Sequence, residues 1–181
     1  EGQGLGNKFL SHIREVSLIC HVVRFFEDPN IIHIAGKVNP AEDREVVETE
    51  LILADLQTLA KQAEPKGKIE KEQLRRLELI QKLKEALNSG KPARDVLTDD
   101  EQDLVKDLQL LTMKPTLLVA NVSEDQIHED GTLKICAKIE SELSGLSEEE
   151  QKLYLKEFGL EHSGLERLIA KAYQMLGLIS F

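Results

Sequence analysis

The segment LLVANVSED, residues 117–125, ends an apolar run in Asn121 and places Glu124 three residues later. An Asn amide both donates and accepts, so at a strand's end it can meet the N7 and exocyclic edge of a purine. A carboxylate only accepts, and favours a base that offers N–H donors. Open α/β sheets bind ligands at the carboxyl ends of their strands, where these residues would lie. Cys136, Ala137 and Lys138 fall in the next apolar run. Small side chains there let backbone N–H groups approach a base, while the long Lys stem can wall off its ring. His33, in the segment NIIHIAG, is placed to position water or stabilise transferred charge near a phosphate. Taken singly, each feature has a plainer reading that outweighs it: a strand end with a solvated acid, a core Cys, a surface His.

Other chemistries find less support. His12, His21, His128 and His162 show no metal-ligand spacing, and neither Cys20 nor Cys136 has a CxxC partner, so no zinc site is expected. Gly36-Lys37, Gly67-Lys68 and Gly90-Lys91 are followed by Val, Ile and Pro, never Ser or Thr. The sequence therefore contains no Walker A loop to cradle phosphates. No Ser/His/Asp or Cys/His pairing stands out for nucleophilic catalysis. The glycines at 2, 4 and 6 fit a mobile loop entering a helix.

The scaffold these residues need is legible in outline. A chain of 181 residues makes one medium domain, or one domain with a small insertion. With 4% aromatics and no Trp, the core must be aliphatic. The net charge of −10 argues against broad, non-specific nucleic-acid binding. Both thiols lie in apolar runs and are expected to be buried, which suits a reducing compartment. No apolar run approaches the ~18 residues of a membrane helix.

Phe9, Leu10 and Ile13 mark a short helix, and SLICHVVRFF reads as a strand buried on both faces of a parallel sheet. A loop follows, and Asn39-Pro40 opens a long helix with Glu42 and Asp43 at its positive end. Lys68 to Asn88 is a charged amphipathic helix, and the Thr98/Glu101 capping box opens another carrying Leu104, Leu108 and Leu111. These two are expected to form an antiparallel hairpin. Strand character returns at PTLLVANV and LKICAKIE, followed by a helix opened by the Ser147/Glu150 capping box and another over GLERLIAKAYQML, with Leu165, Leu168, Ile169, Ala172 and Met175. The order implies an α/β sheet with a helical insertion, divided as 1–55, 56–110 and 111–181.

The blocks GLGNKFLSHIREV, ICHVVRFFEDPNIIHIAGKVNPAED, TELILADLQTL, LTMKPTLLVANVSED and EFGLEHSGLERLIAKAYQMLGLISF join these pieces. Over nearly its whole length the chain resembles the YchF/Obg-like ATPases, translation-factor-related P-loop NTPases. The resemblance implies part of a G-domain parallel sheet with an inserted, coiled-coil-like helical hairpin. Glu1 to Leu10 looks like the tail of switch II. Asn121, Val122, Ser123 and Glu124 are similar to the family's NxxE motif, which replaces the NKxD of ordinary GTPases. Cys136, Ala137 and Lys138 match its SAK-type loop, with Cys where Ser is usual. His33 matches the His used in place of a catalytic Gln.

The same resemblance places the Walker A loop, switch I and the start of switch II before Glu1, and a TGS domain after Phe181. Between Glu124 and Leu133 only DQIHEDGT intervenes, too short for a strand–helix–strand crossover of ~10–12 residues plus turns. Either the protein lacks the family's helix there or further residues belong in that stretch, and the second is expected. Guanine offers N1–H and an N2 amino group to the Asp of NKxD, whereas adenine's N1 is an acceptor. The change to NxxE is therefore expected to favour ATP over GTP. The family implies ATP with Mg²⁺ (its ligands outside this chain), the ribosome or ribosomal RNA as partner, the cytoplasm as location, and no membrane. The chain alone is expected to be inactive, since the anion cradle that dominates phosphoryl transfer is missing from it. The alternative is a non-catalytic module that binds a protein through its helical hairpin.

Overall fold

The computed structural model describes residues 6–33, 36–62, 70–128 and 131–178. In chain order its elements are α1 (Asn7–Glu15), β1 (Ile19–Arg24), α2 (Pro40–Ala60), α3 (Lys71–Asn88), α4 (Asp99–Asp103), β2 (Thr116–Asn121), β3 (Lys134–Ile135), α5 (Ala137–Leu143), α6 (Glu148–Glu157) and α7 (Gly164–Met175). They fall into two compact units, one of Glu1–Ile19 with Glu45–Pro115, the other of Cys20–Arg44 with Thr116–Phe181. The chain crosses from one unit to the other inside β1, inside α2 and after Pro115.

The second unit carries a three-stranded sheet in the order β1-β2-β3. β2 and β3 are parallel, with Ala120 opposite Lys134 and Asn121 opposite Ile135. Ile19 N–H donates to Pro115 C=O and Phe25 N–H to Asn121 C=O at the same sequence offset, so β1 is parallel to β2 as well. β1 is an edge strand, and its side chains alternate: Val23 is buried while Cys20 and Val22 are exposed. The expected burial of β1 on both faces, and of both thiols, is therefore not met; Cys136 is buried and Cys20 is not.

LKICAKIE also departs from expectation. Only Lys134 and Ile135 are strand, and α5 begins at Ala137 with Cys136 as its N-cap residue. The helical period prevails because Ile139 and Leu143, four apart, bury together with Leu155 and Leu160. The connection 122–133 still joins parallel strands, with a 3₁₀ turn, Glu124–Gln126, as the regular element among its described residues.

α7 is held by its first turn. Ser163 and Glu166 form a capping box, and the Glu140 carboxylate of α5 accepts the N–H groups of Gly164 (2.7 Å) and Leu165 (3.3 Å). A Cβ at position 164 would lie 2.8 Å from Glu140 Oε1 and 2.8 Å from Ile135 Cγ2, so the close approach requires glycine.

In the first unit the long helices sharing a core are α2 and α3, through Ile52 and Leu59 on one and Leu79, Leu83 and Leu87 on the other. The expected hairpin of α3 with a long helix from Thr98 does not form. The Thr98/Glu101 capping box is present, but α4 stops after five residues. Arg76 donates to the Leu104 carbonyl (2.5 Å) and, in a fork, to both oxygens of Asp107 (2.7 Å each), and Gln109 then turns left-handed at φ 47°. After Asp103 the backbone tightens to 3₁₀ turns, and α3 holds this stretch through Arg76. Deeper in this unit, the fully buried Asp55 carboxylate accepts Leu111 N–H (2.8 Å), Thr112 N–H (2.7 Å) and Thr112 Oγ1–H (2.7 Å), with the Arg14 guanidinium 3.9 Å away.

Candidate functional site

The candidate site lies at the carboxyl end of β2 in the second unit. Backbone bonds fix it from both sides: Phe25 N–H donates to the Asn121 carbonyl (2.8 Å) and Val122 N–H to the Ile135 carbonyl (2.9 Å). The Asn121 side chain then reaches across to α5, where Oδ1 accepts Ala137 N–H at 3.2 Å. Its Nδ2 keeps both N–H donors uncommitted among the described residues. Ser123 N–H and Oγ–H both donate to Gln126 Oε1, closing the turn that carries Glu124. Glu124 Oε2 accepts Lys138 Nζ–H at 2.9 Å. That bond is the largest cause holding the Lys138 ammonium above its ordinary range.

Asn121, Val122, Ser123, Glu124, Cys136, Ala137 and Lys138 line one cavity of about 460 Å³. Buried Val122 and Cys136 root it in the core, and Phe26, Asp28 and Ile31 of the loop after β1 form its far wall. Arg24 shapes that loop: Nε donates to the Phe26 carbonyl (2.8 Å), and the two terminal nitrogens donate to Ile31 (3.1 Å) and Asp28 (3.4 Å). Its guanidinium carbon lies 4.6 Å from the Phe26 ring centroid, a cation–π distance. Asp28 Oδ1 in turn accepts Asn30 N–H at 2.8 Å, a local Asx turn.

His33 is not in that cavity. It lines an adjoining one of about 430 Å³ with Arg24 and Lys37, and Glu27, Asp28 and Ile31 border both. His33 Nε2 lies 3.0 Å from Asp43 Oδ2 in the first turn of α2. The structure thus brings Asn121 to Glu124 together with Cys136 and Ala137, and sets His33 beside them. Sequence reasoning did not single out Arg24, Phe26 or Asp43 for the site. Arg24 had one signal, a lone cation ending an apolar run; Asp43 read only as a helix-dipole partner.

A parallel sheet with an Asn at one strand end, and the next strand turning into a helix over the same cavity, defines a partial α/β fold of the P-loop NTPase class. No protein-family model matches the chain. Whole-chain relatives do. The ribosome-binding ATPase YchF of Bacillus subtilis (strain 168) is 46% identical over 204 aligned positions, which cover 100% of this chain and 56% of that protein. The proteins of the same name from Mycoplasma genitalium and Escherichia coli O157:H7 are 41% and 40% identical, again over 100% of this chain and 56% and 55% of theirs. The Schizosaccharomyces pombe YchF GTPase structure superposes with a TM-score of 0.80 at 28% identity, over 96% of this chain and 53% of that one. The chain belongs to the YchF family and spans a little over half the length of these relatives. The aligned length exceeds the chain's 181 residues, so the B. subtilis protein carries residues within the matched stretch that this sequence lacks.

Proposed function

We propose that this chain supplies the base-selecting part of a nucleotide-hydrolysing protein that works on the ribosome in the cytoplasm and prefers ATP to GTP. The observation that carries the purine-site reading is the Asn121 amide, while the preference for ATP rests on Glu124. Its oxygen is committed to Ala137 N–H, and its two donors remain for a purine's N7 at a cavity bordered by Glu124 and Ala137. Glu124, already paired with Lys138, is a weaker acceptor for guanine's N1–H and amino group than an unpaired carboxylate would be. Cys136 and Ala137 shape the floor, and Val122 and Ser123 hold the turn. His33, in the adjoining cavity, would orient or deprotonate the attacking water. Residues 56–110 act as a helical insertion that presents a partner surface.

The names of the relatives, a ribosome-binding ATPase and a GTPase, favour nucleotide hydrolysis and a ribosome partner, and the choice of base rests on the site alone. Mg²⁺ would accompany the nucleotide and neutralise phosphate charge. No group of three or more His, Cys, Asp or Glu among the described residues is suited to hold it. No helix among the described residues is long and apolar enough to cross a membrane. The chain alone, without a phosphate-binding loop in its sequence, is expected to hydrolyse nothing.

Competitive binding of fluorescent ATP and GTP to the wild-type full-length protein tests base selection, and the same titration of Asn121→Ala tests the purine contact. Hydrolysis by His33→Ala tests the water-handling role. Equal affinity for ATP and GTP would remove the base-selectivity argument, and undiminished turnover by His33→Ala would remove the role given to that residue.

A further inference from the structure

We propose that Asp43 is the positioning residue for His33, fixing its tautomer from the first turn of α2; the inference rests on the role for His33 given above. His33 Nε2 and Asp43 Oδ2 are 3.0 Å apart, with the two side chains only 18% and 28% exposed. A carboxylate can only accept, so the neutral ring donates Nε2–H to it, and Nδ1 becomes the ring's acceptor. A histidine that orients or deprotonates water needs one nitrogen defined in this way.

Asp43 is itself rigidly placed. Asn39 Nδ2 donates to Glu42 Oε2 (2.9 Å), and Asn39 Oδ1 accepts Glu42 N–H (3.4 Å). Asp43 N–H donates to the Asn39 carbonyl (2.9 Å). Pro40 begins the helix with a φ already suited to it. A capped helix end, not the loop that bears the histidine, therefore supplies the carboxylate. The other acids lining the His33 cavity are Glu27 and Asp28, and Asp28 Oδ1 is engaged by Asn30. An acid in a first helical turn also interacts with the helix dipole. That role alone would leave the imidazole tautomer unchanged on substitution, which separates the two explanations.

The test uses the full-length protein with ATP as substrate, comparing wild type, Asp43→Ala, Asp43→Asn, His33→Ala and the double Ala variant. Imidazole ¹⁵N shifts of His33 report the tautomer, and steady-state hydrolysis reports kcat and KM separately. The wild type should show the Nε2–H tautomer, and Asp43→Ala a smaller share of it. For Asp43→Ala kcat should fall about tenfold or more, the scale seen when a histidine loses its orienting partner. KM should stay within about twofold, since Asp43 does not line the base cavity, and the double variant should be no worse than His33→Ala. Asp43→Asn, whose amide oxygen can still accept Nε2–H, should recover the tautomer and part of the rate. An unchanged tautomer in Asp43→Ala, with His33→Ala impaired, overturns the Asp43 inference alone. Full turnover by His33→Ala overturns the reading of His33 and the positioning role with it.

Discussion

The Asn121 side-chain oxygen accepts the Ala137 N–H at 3.2 Å, tying the end of β2 to the first residue of α5. This bond settles which half of the amide remains for a ligand. Both purines present an N7 acceptor, so the free Nδ2 donors recognise a purine without choosing between adenine and guanine. Discrimination must come from Glu124 and from what surrounds the exocyclic group. Asn121 is thus a general purine contact in the proposed site, and base preference is set elsewhere in the same cavity.

Asn121→Ala removes both the donor to the base and the acceptor for Ala137 N–H. Affinity of the full-length protein for ATP and GTP is expected to fall together, by about five- to thirtyfold for ~1–2 kcal/mol of lost hydrogen bonding. Asn121→Asp keeps the Ala137 acceptor while losing the donors, so it should weaken nucleotide binding without unfastening α5. Titration with a fluorescent nucleotide of each base checks both variants. A loss confined to one base would show that Asn121 reads more than N7.

The Lys138–Glu124 pair is expected to bear on selectivity. Lys138→Met keeps the aliphatic stem but releases Glu124 to accept from guanine's N1–H and amino group. The GTP-to-ATP affinity ratio should rise by up to about fivefold, the range of an exposed ion pair. In a Glu124→Gln background, Lys138→Met should leave the ratio unchanged. Competition binding at fixed ionic strength reads the ratio, since such pairs are screened by salt.

Asn39-Pro40 as a helix start, the capping box at Ser147, the helix over GLERLIAKAYQML, and β2 ending in Asn121 were all legible in the sequence. Each is a local rule acting on adjacent residues. The errors arose where a distant partner decides the outcome. α4 gives way to 3₁₀ turns after Asp103, where Arg76, 28 residues earlier, bonds the Leu104 carbonyl. Cys20 is exposed because it shares with Val22 the face of β1 that is left unburied, which no property of ICHVVR reveals. In the site, Asn121 and Glu124 were readable as a motif, but the bonds that commit them, to Ala137 and Lys138, span 16 and 14 residues. Asp43 was visible only as an acid in a first turn, because its link to His33 crosses a loop without regular structure among its described residues.

Asp55 gives the first unit a measurable pH dependence. Burial pushes its carboxyl above the ordinary aspartate value, against the opposing pull of Thr112, Leu111 and the Arg14 guanidinium. The native state therefore binds the proton more tightly than the unfolded chain. The group's contribution is complete below the ordinary Asp pKa, and is lost as pH rises through the raised native value. The unfolding temperature of the wild type, relative to Asp55→Asn, should accordingly fall as pH rises from about 4 and then level off. Asp55→Ala leaves the Leu111 and Thr112 donors buried without their acceptor, and should cost about 3–5 kcal/mol by denaturant unfolding at neutral pH.

Gly164→Ala tests how tightly α7 is seated. A methyl group there would meet Ile135 Cγ2 at 2.8 Å and Cβ at 3.1 Å, in β3 of the sheet, as well as Glu140 Oε1 at 2.8 Å. The Glu140 oxygen sits at the end of a flexible side chain and can give way. Ile135 cannot retreat easily, because its carbonyl is bonded to Val122 N–H. Moving Glu140 would also loosen the Gly164 and Leu165 N–H groups it accepts. Alanine's better helix propensity offsets at most ~1 kcal/mol of this. A net loss of about 1–2 kcal/mol is expected from overpacking, read as a lower denaturant midpoint with an unchanged m-value. Glu140→Gln, which keeps the shape but weakens the charge-assisted bonds, should lower stability less. If Gly164→Ala is neutral, α7 must be able to shift from β3 at little cost, and the close packing at Ile135 is not what holds it.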